Sequence, residues 1–201
     1  MPVTALILDY GEVLCYPQTP ESMAAMAGVL GIGETPMREA YWLLRHEYDL
    51  GLPAREYWTR TALAAGVPEL DEAQLQTLIA CDIASWTEYR DDMWELVQAF
   101  RAAGGRTAFL SNGVPEVMER IRQDRVLEDF FDAVIVSCEV GLAKPDPAIF
   151  RLTLTRLGVA PDDALFVDDR AVNTAAAHAI GMQTLTFSRA HTTADVRSAV
   201  T

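Results

Sequence analysis

Five short apolar runs, separated by polar and helix-like stretches, limit the architectures open to this chain. Within each run apolar and polar residues show little alternation, which is typical of parallel strands covered on both faces. Glycines stand where the helix before the second run and the helices after the third and fourth runs are expected to end. Strand and helix alternating over short links predict an α/β fold with a doubly wound parallel sheet. The predicted strands are ALIL (5–8), TAFL (107–110), AVIV (133–136), ALFV (164–167) and TLTF (184–187).

The long stretch between the first and second runs interrupts this rhythm. It contains segments with helical spacing, divided by glycine and proline, and Asp71 is a predicted N-cap. We therefore predict a helical insertion over residues 16–88, within a core formed by residues 1–15 and 89–201. The chain is expected to return to that core with a helix over 91–104. The predicted helices of the insertion are Glu21–Leu30, Met37–Tyr48, Arg55–Ala65 and Glu72–Ile83.

Charge and cysteine content narrow the class of protein. The net charge of −13 argues against a nucleic-acid-binding protein, which normally presents a basic face. No apolar run approaches the roughly 18 residues that a membrane span needs, and the first residues do not resemble a signal peptide. Three scattered cysteines favour reduced thiols. We expect a cytoplasmic protein, monomeric or homodimeric, that binds neither nucleic acid nor membrane.

Polar residues that can carry out chemistry follow four of the five predicted strands. In open parallel sheets, ligands bind at the carboxyl ends of the strands, so these side chains should meet at one edge of the sheet. Any one of them alone is weak support for a site, because a carboxylate after a strand often caps a helix. The predicted edge consists of Asp9, Gly11 and Glu12, then Ser111, Asn112 and Gly113, then Lys144, and finally Asp168 and Asp169.

This set of residues suits phosphoryl transfer. Clustered carboxylates and a backbone carbonyl form an oxygen-only site of the kind that Mg²⁺ prefers. A cation there offsets the repulsion between an attacking carboxylate and a phosphate dianion. Asp9 can then act as the nucleophile, while Ser111 and nearby backbone N–H groups hold the phosphoryl oxygens.

Lys144 is unusual because it is the only lysine among sixteen cationic residues, the rest being arginine. The two residue types differ most where a compact ammonium must sit beside buried anions. A lone lysine at the surface is the simpler interpretation, but its position among the sheet-edge residues favours a functional role. We expect it to neutralise Asp9 and the charge that develops on the phosphoryl group.

Four segments of the chain resemble the motifs of the haloacid dehalogenase (HAD) superfamily, in the same order and across nearly the whole sequence. The segments are LILDYGEVL, FLSNG, GLAKPDP and FVDDRAVN. The resemblance implies a Rossmann-like core with a helical cap at residues 16–88, and a small phosphorylated substrate. It implies that Asp9 is the nucleophile and a Mg²⁺ ligand, with the main-chain oxygen of Gly11 and Asp169 as further ligands and Asp168 acting through water. It also implies that Ser111, Asn112, Gly113 and Lys144 bind the phosphate.

Gly11 departs from the pattern of many phosphatases in this superfamily, which have a second aspartate two residues after the nucleophile. That aspartate protonates the leaving group and activates water, a contribution worth typically 10²–10⁴-fold. A subset of the superfamily that resembles this chain has glycine there. Glu12 is the candidate replacement, and its alternative role is that of a solvated loop residue.

Two other functions remain open on the sequence alone. A 2-haloacid dehalogenase would use Asp9, Ser111 and Lys144 to displace halide at carbon without a metal, and the acidic pair Asp168-Asp169 argues against it. A catalytically degenerate protein that binds phosphorylated ligands is the second alternative, with Gly11 as the sign of decay. Aromatic and arginine residues of the insertion could contact substrate, but at helical spacing we expect them to serve packing; they include Trp42, Arg45, Tyr48, Tyr57 and Trp58.

Overall fold

A computed structural model describes residues 3–200 and contains five strands joined in one parallel sheet. The strand order is β3-β2-β1-β4-β5, so the first strand lies at the centre. The predicted strands are confirmed, and none of their boundaries is displaced by more than one residue. The strands are β1 (Ala5–Leu8), β2 (Arg106–Ser111), β3 (Ala133–Val136), β4 (Ala164–Asp168) and β5 (Gln183–Thr186).

Helices cover both faces of the sheet, which confirms the doubly wound α/β fold. Because the central strands β1 and β2 are buried on both faces, their side chains alternate between two apolar layers: Leu6 and Leu8 pack on one side, Ala5 and Ile7 on the other. Two helices, Pro147–Leu157 and Ala171–Ala179, cover the second layer. The helices between residues 91 and 200 are α6 (Asp91–Ala102), α7 (Pro115–Asp124), α8 (Ser137–Val140), α9 (Pro147–Leu157), α10 (Ala171–Ala179) and α11 (Thr193–Val200).

The segment between β1 and α6 is helical, as its spacing predicts, with one correction. The predicted helix Met37–Tyr48 is wrong as a single element, because the chain leaves helical geometry at Leu44 and forms two shorter helices. Asp71 is confirmed as an N-cap, and it forms a capping box with Gln74. The five helices are α1 (Pro20–Leu30), α2 (Glu34–Leu43), α3 (Arg45–Asp49), α4 (Ala54–Ala64) and α5 (Glu72–Ser85).

Hydrogen bonds beside the carboxyl edge of the sheet connect these helices to the rest of the chain. Tyr48 Oη donates to Glu116 Oε2 at 3.0 Å, and Tyr10 Oη donates to the carbonyl of Trp86. The helical segment therefore stands over the same edge to which the polar residues were assigned. No helix within residues 3–200 is both long and apolar enough to cross a membrane.

Candidate active site

Lys144 is the centre of a buried polar cluster at the carboxyl edge of the sheet. Its ammonium lies 2.7 Å from Asp9 Oδ1 and 2.7 Å from Asp168 Oδ2, and donates to the carbonyl of Leu110 at 3.0 Å. All three Nζ protons therefore have an acceptor, and the residue is 2% exposed. Burial by itself lowers the pKa of Lys144, but the charges of Asp9 and Asp168 outweigh it and hold the pKa above its usual value. The only lysine of the chain thus stays a cation between two carboxylates.

Asp9 follows β1 directly and is 6% exposed. Its Oδ1 accepts from the backbone N–H of Tyr10 at 2.6 Å and contacts the Lys144 ammonium. Its Oδ2 makes no hydrogen bond or ion pair within residues 3–200, and the residue lines a cavity. One carboxylate oxygen is therefore held in place and the other is left available for chemistry.

The three aspartates Asp9, Asp168 and Asp169 can each bring one carboxylate oxygen within 4.8 Å of the others. Burial raises the pKa of Asp9, and the opposing effect of Lys144 does not cancel it. Burial, followed by repulsion from Asp168 and Glu12, raises the pKa of Asp169 to about 6. The single ammonium therefore leaves negative charge uncompensated at this edge. An oxygen-only donor set with excess negative charge fits a hard divalent cation such as Mg²⁺.

Asp168 is fully buried at the end of β4 and is held by α10 as well as by Lys144. Its Oδ1 accepts from the backbone N–H of Arg170 at 2.8 Å, and Asn173 Nδ2 donates to both carboxylate oxygens at 3.0 Å. Asp168 thus also accepts a backbone N–H at the start of α10. This is the structural role, simpler than metal binding, that is common for a carboxylate placed between a strand and a helix. Asn173 was not singled out from the sequence, although its place five residues after Asp168, in the first turn of a helix, was a usable signal.

The last residue of β2 and the loop after it supply three of the four residues to which the resemblance assigns phosphate binding. The Ser111 hydroxyl makes no hydrogen bond within the described residues and borders the cavity. Asn112 exchanges two 2.8 Å hydrogen bonds with the backbone of Lys144, donating to its carbonyl and accepting from its N–H. The side chain of Asn112 thus positions the lysine, and Ser111 is the side chain of this loop that is available for a ligand.

Gly113 is confined by its neighbours. A Cβ there would lie 3.3 Å from Val136 Cγ1, which is a tight contact, and 3.5 Å from Ser111 Oγ, which is an ordinary van der Waals distance. Its N–H donates to Ser137 Oγ at 3.0 Å, and Ser137 Oγ in turn donates to the carbonyl of Asp49 on α3. Ser137, which sequence reasoning missed, links the loop after β2 to the helical segment above it.

Gly11 and Glu12 lie on the turn that follows Asp9. A Cβ at Gly11 would meet Trp86 Cζ3 at 3.5 Å, an ordinary van der Waals distance. Glu12 has a left-handed backbone with φ 56°, a conformation that is costly for a residue other than glycine. Its side chain borders the cavity next to Asp169, and its charge contributes to the raised pKa of that residue. The structure therefore places Glu12 beside the cluster, which sequence alone left open.

The helical segment contributes Trp42, Arg45 and Trp86 to the wall of the cavity. Arg45 is buried, and its guanidinium donates from Nε to Asp49 Oδ1 at 2.8 Å and from Nη1 to Tyr41 Oη. Its charge is thus satisfied by the helices themselves. Tyr48, Tyr57 and Trp58 are buried within the segment, as expected of packing residues. The cavity has a volume of about 120 Å³.

Comparison with known proteins identifies the family of the chain. The family model described as haloacid dehalogenase-like hydrolase matches residues 3–181. A phosphoserine phosphatase of Thermus thermophilus is 36% identical over 119 residues, which is 58% of this chain and 47% of that protein. An (S)-2-haloacid dehalogenase 4A of Burkholderia cepacia is 30% identical over 98 residues, which is 49% of this chain and 42% of that protein. The chain thus spans less than half the length of these curated relatives.

A solved structure shares the fold across almost the whole chain. It is a HAD family enzyme of Bacteroides thetaiotaomicron in complex with magnesium and inorganic phosphate, with a TM-score of 0.77 at 20% identity. The superposition covers 96% of this chain and 98% of that one. The structural likeness confirms the predicted α/β fold with its parallel sheet.

Proposed function

Because the chain belongs to the haloacid dehalogenase-like hydrolase family, we propose that it is a Mg²⁺-dependent phosphatase for a small phosphorylated metabolite. The observation that supports this most directly is the packing of Asp9, Asp168 and Asp169 around the one buried lysine. Two relatives fit the proposal by name: one is a phosphoserine phosphatase, and the other was solved with magnesium and inorganic phosphate.

In the proposed mechanism, Asp9 attacks phosphorus with its unengaged carboxylate oxygen and becomes an aspartyl phosphate, and the alcohol leaves. The ammonium of Lys144 and the hydroxyl of Ser111 stabilise the charge on the phosphoryl oxygens. Mg²⁺, when bound, supplies charge neutralisation at the phosphate. Its proposed ligands are Asp9, the main-chain oxygen of Gly11 and Asp169, with Asp168 acting through water. Water then hydrolyses the aspartyl phosphate.

We assign the role of a cap to residues 16–88. Helices of this segment contribute Trp42, Arg45 and Trp86 to the cavity wall, and Ser137 ties α3 to the loop that holds Ser111 and Gly113. A lid of this kind excludes water from the site and strengthens the electrostatic interactions inside it. The segment is therefore the element expected to admit substrate and then enclose it.

Metal dependence is the first test of the proposal. We expect phosphate release from p-nitrophenyl phosphate with Mg²⁺ and none with excess chelator. Asp169→Asn should raise the Mg²⁺ concentration needed for half-maximal rate by about 10- to 100-fold, in the range seen when metal sites lose a supporting group. The control is Asp163→Asn, which lies before β4, at the opposite edge of the sheet. Unchanged turnover in chelator would rule out the metal-dependent mechanism.

Glu12 is proposed as the general acid and base in place of the missing second aspartate. We expect Glu12→Gln to lower kcat by about 10²-fold, at the lower end of what proton transfer contributes, and to remove one limb of the pH–rate profile. The exposed Glu95 provides a Glu→Gln control on α6. A kcat within two-fold of the wild-type value would assign Glu12 to the solvated loop instead.

A dehalogenase function has support from the (S)-2-haloacid dehalogenase relative, and the same assay distinguishes it. That reaction displaces halide from carbon and has no use for a divalent cation, whereas the cluster here carries three carboxylates against one ammonium. Chloride release from 2-chloropropanoate in the presence of chelator, without phosphate release from esters, would favour the dehalogenase. Tight phosphate binding without turnover would favour a catalytically degenerate protein.

A further inference from the structure

A second and larger cavity adjoins the one that contains Asp9. Its volume is about 490 Å³, against about 120 Å³ for the first, and the two share Glu12 and Asp169 as lining residues. Small-molecule sites usually enclose roughly 300–1,000 Å³. The smaller cavity therefore has room for little more than a phosphoryl group, and the larger one has room for the rest of a substrate. Its wall is formed by the start of the helical segment, the chain that returns from it and the loop after β5.

Arg90 lines the larger cavity with a guanidinium that lacks hydrogen bonds. Its side chain is 14% exposed, and its nearest carboxylate is Asp92 Oδ2 at 3.5 Å. None of its side-chain N–H groups donates a hydrogen bond to a residue within 3–200, and its Nε is enclosed without a partner. Arginines this deeply placed are normally paired, and a buried charge without hydrogen bonds is costly. This guanidinium therefore has donors available for an anion.

Arg45 provides the contrast within the same molecule. Its side chain is 9% exposed, somewhat deeper than that of Arg90, and it bonds Asp49 and Tyr41 and has Asp82 3.9 Å away. Its charge is compensated by its own helices, so it requires no ligand. The chain thus does supply hydrogen-bond partners to a buried arginine where the role is structural, whereas Arg90 has only the long 3.5 Å ion pair with the half-exposed Asp92.

The surroundings of Arg90 hold it in place without neutralising it. Its Cζ lies 4.9 Å from the ring centre of Phe187 and 5.7 Å from that of Tyr16, distances at which cation–π attraction acts. These rings also give the cavity an apolar wall beside the charge. Arg189, exposed on the same wall, forms no ion pair or hydrogen bond with the described residues.

The acidic residues that line this cavity fall into two groups. Glu12 and Asp169 also line the Asp9 cavity, where the proposed Mg²⁺ offsets their charge. Glu21 and Glu88 are exposed at the surface, where water and salt weaken their repulsion of an anion. The guanidinium of Arg90 is the better shielded charge and is expected to dominate.

We propose that the larger cavity binds the leaving group, and that this group carries a second anion, a carboxylate or a phosphate, which Arg90 binds. The inference rests on the proposed function in one respect, namely that a phosphoryl group occupies the Asp9 cavity. The substrate class is then phosphate esters of small acidic alcohols, or small bisphosphates, with a short apolar segment between the two anions.

Isothermal titration with non-hydrolysable phosphonates tests the proposal without requiring turnover. The probes are 4-phosphonobutanoate and butylphosphonate, which differ by a carboxylate in place of a methyl group, and propane-1,3-diyl bisphosphonate. With Mg²⁺ present, we expect the wild-type protein to bind one of the two probes that carry a second anionic group about 10- to 100-fold more tightly than butylphosphonate. One or two charge-assisted hydrogen bonds provide a difference of this size. Preference for the carboxylate or for the bisphosphonate distinguishes the two anions. Equal affinity for all three probes would overturn the proposal.

Substitution of Arg90 tests whether this residue causes the preference for a second anionic group. We expect Arg90→Gln to bind the preferred probe and butylphosphonate with affinities within about two-fold of each other, and Arg90→Lys to retain part of the preference. The control is Arg151→Gln, at an exposed position on α9, which should leave the ratio of the two affinities unchanged. A ratio that survives in folded Arg90→Gln would overturn the assignment. Turnover of an aryl phosphate by the wild-type protein distinguishes this inference from the proposed function. If the protein turns over the ester but binds all three probes equally, this inference is wrong and the phosphatase function stands. If the protein prefers a probe with two anionic groups but shows no turnover, the phosphatase function is wrong and the anion site stands.

Discussion

Asp9→Asn is expected to lower kcat for aryl phosphate hydrolysis by about 10⁴- to 10⁶-fold, the size of effect seen when a nucleophile is removed. The amide oxygen can keep the contacts that Asp9 Oδ1 makes with Tyr10 N–H and Lys144. The other carboxylate oxygen, which has no partner within residues 3–200, becomes an amide nitrogen without a lone pair for attack. The substitution thus removes the nucleophile while preserving the local structure.

Steady-state phosphate release and thermal unfolding by circular dichroism measure the two parts of this prediction. The matched control is Asp162→Asn, an exposed residue at the amino end of β4, on the opposite edge of the sheet. Acid quenching followed by peptide mass spectrometry should detect a phosphoryl adduct on Asp9 in the wild-type protein only. Retention of more than about one hundredth of the wild-type kcat in folded Asp9→Asn would exclude Asp9 as the nucleophile.

Lys144→Met should produce the largest combined loss of activity and stability. It leaves Asp9 and Asp168 buried without their ammonium, and breaking a buried ion pair on one side costs about 3–5 kcal/mol of unfolding free energy. The same change removes a charge that stabilises the phosphoryl oxygens, so we expect kcat to fall by at least about 10²–10³-fold. Chemical denaturation in the presence of chelator measures the first effect, and phosphate release with Mg²⁺ measures the second.

Lys144→Arg separates the charge from its geometry. The Lys144 ammonium fits between two carboxylates and the Leu110 carbonyl, 5.5 Å from the ring centre of Phe166. A planar guanidinium cannot reproduce three converging bonds in that space. We expect severely impaired turnover in Lys144→Arg. For Lys144→Met, the control is Arg151→Met, which also replaces a cation by methionine, because the chain has no second lysine. Wild-type rates in Lys144→Arg would show that the lone lysine is an accident of composition.

The sequence alone determined the fold class and the edge of the sheet where the candidate site lies. Apolar runs that lack alternation specify strands buried on both faces, and the carboxyl ends of parallel strands necessarily share one edge. Asp9, Ser111 and Asp168 directly follow the strands predicted from the sequence, so their proximity required no knowledge of packing. The resemblance to the superfamily rests on the same short segments, and the family match confirms it.

The tertiary structure decided which partner each side chain has. The exchange of hydrogen bonds between Asn112 and Lys144 joins residues 32 positions apart, and Ser137 contacts Asp49 across 88 positions. Arg45 and Arg90 look alike in sequence, and only packing shows that the guanidinium of Arg45 donates hydrogen bonds within the described residues while that of Arg90 does not. Local spacing reports which residues share a strand end or a helix face. The contacts between distant segments depend on how whole elements pack, because those elements approach one another only when the core is buried.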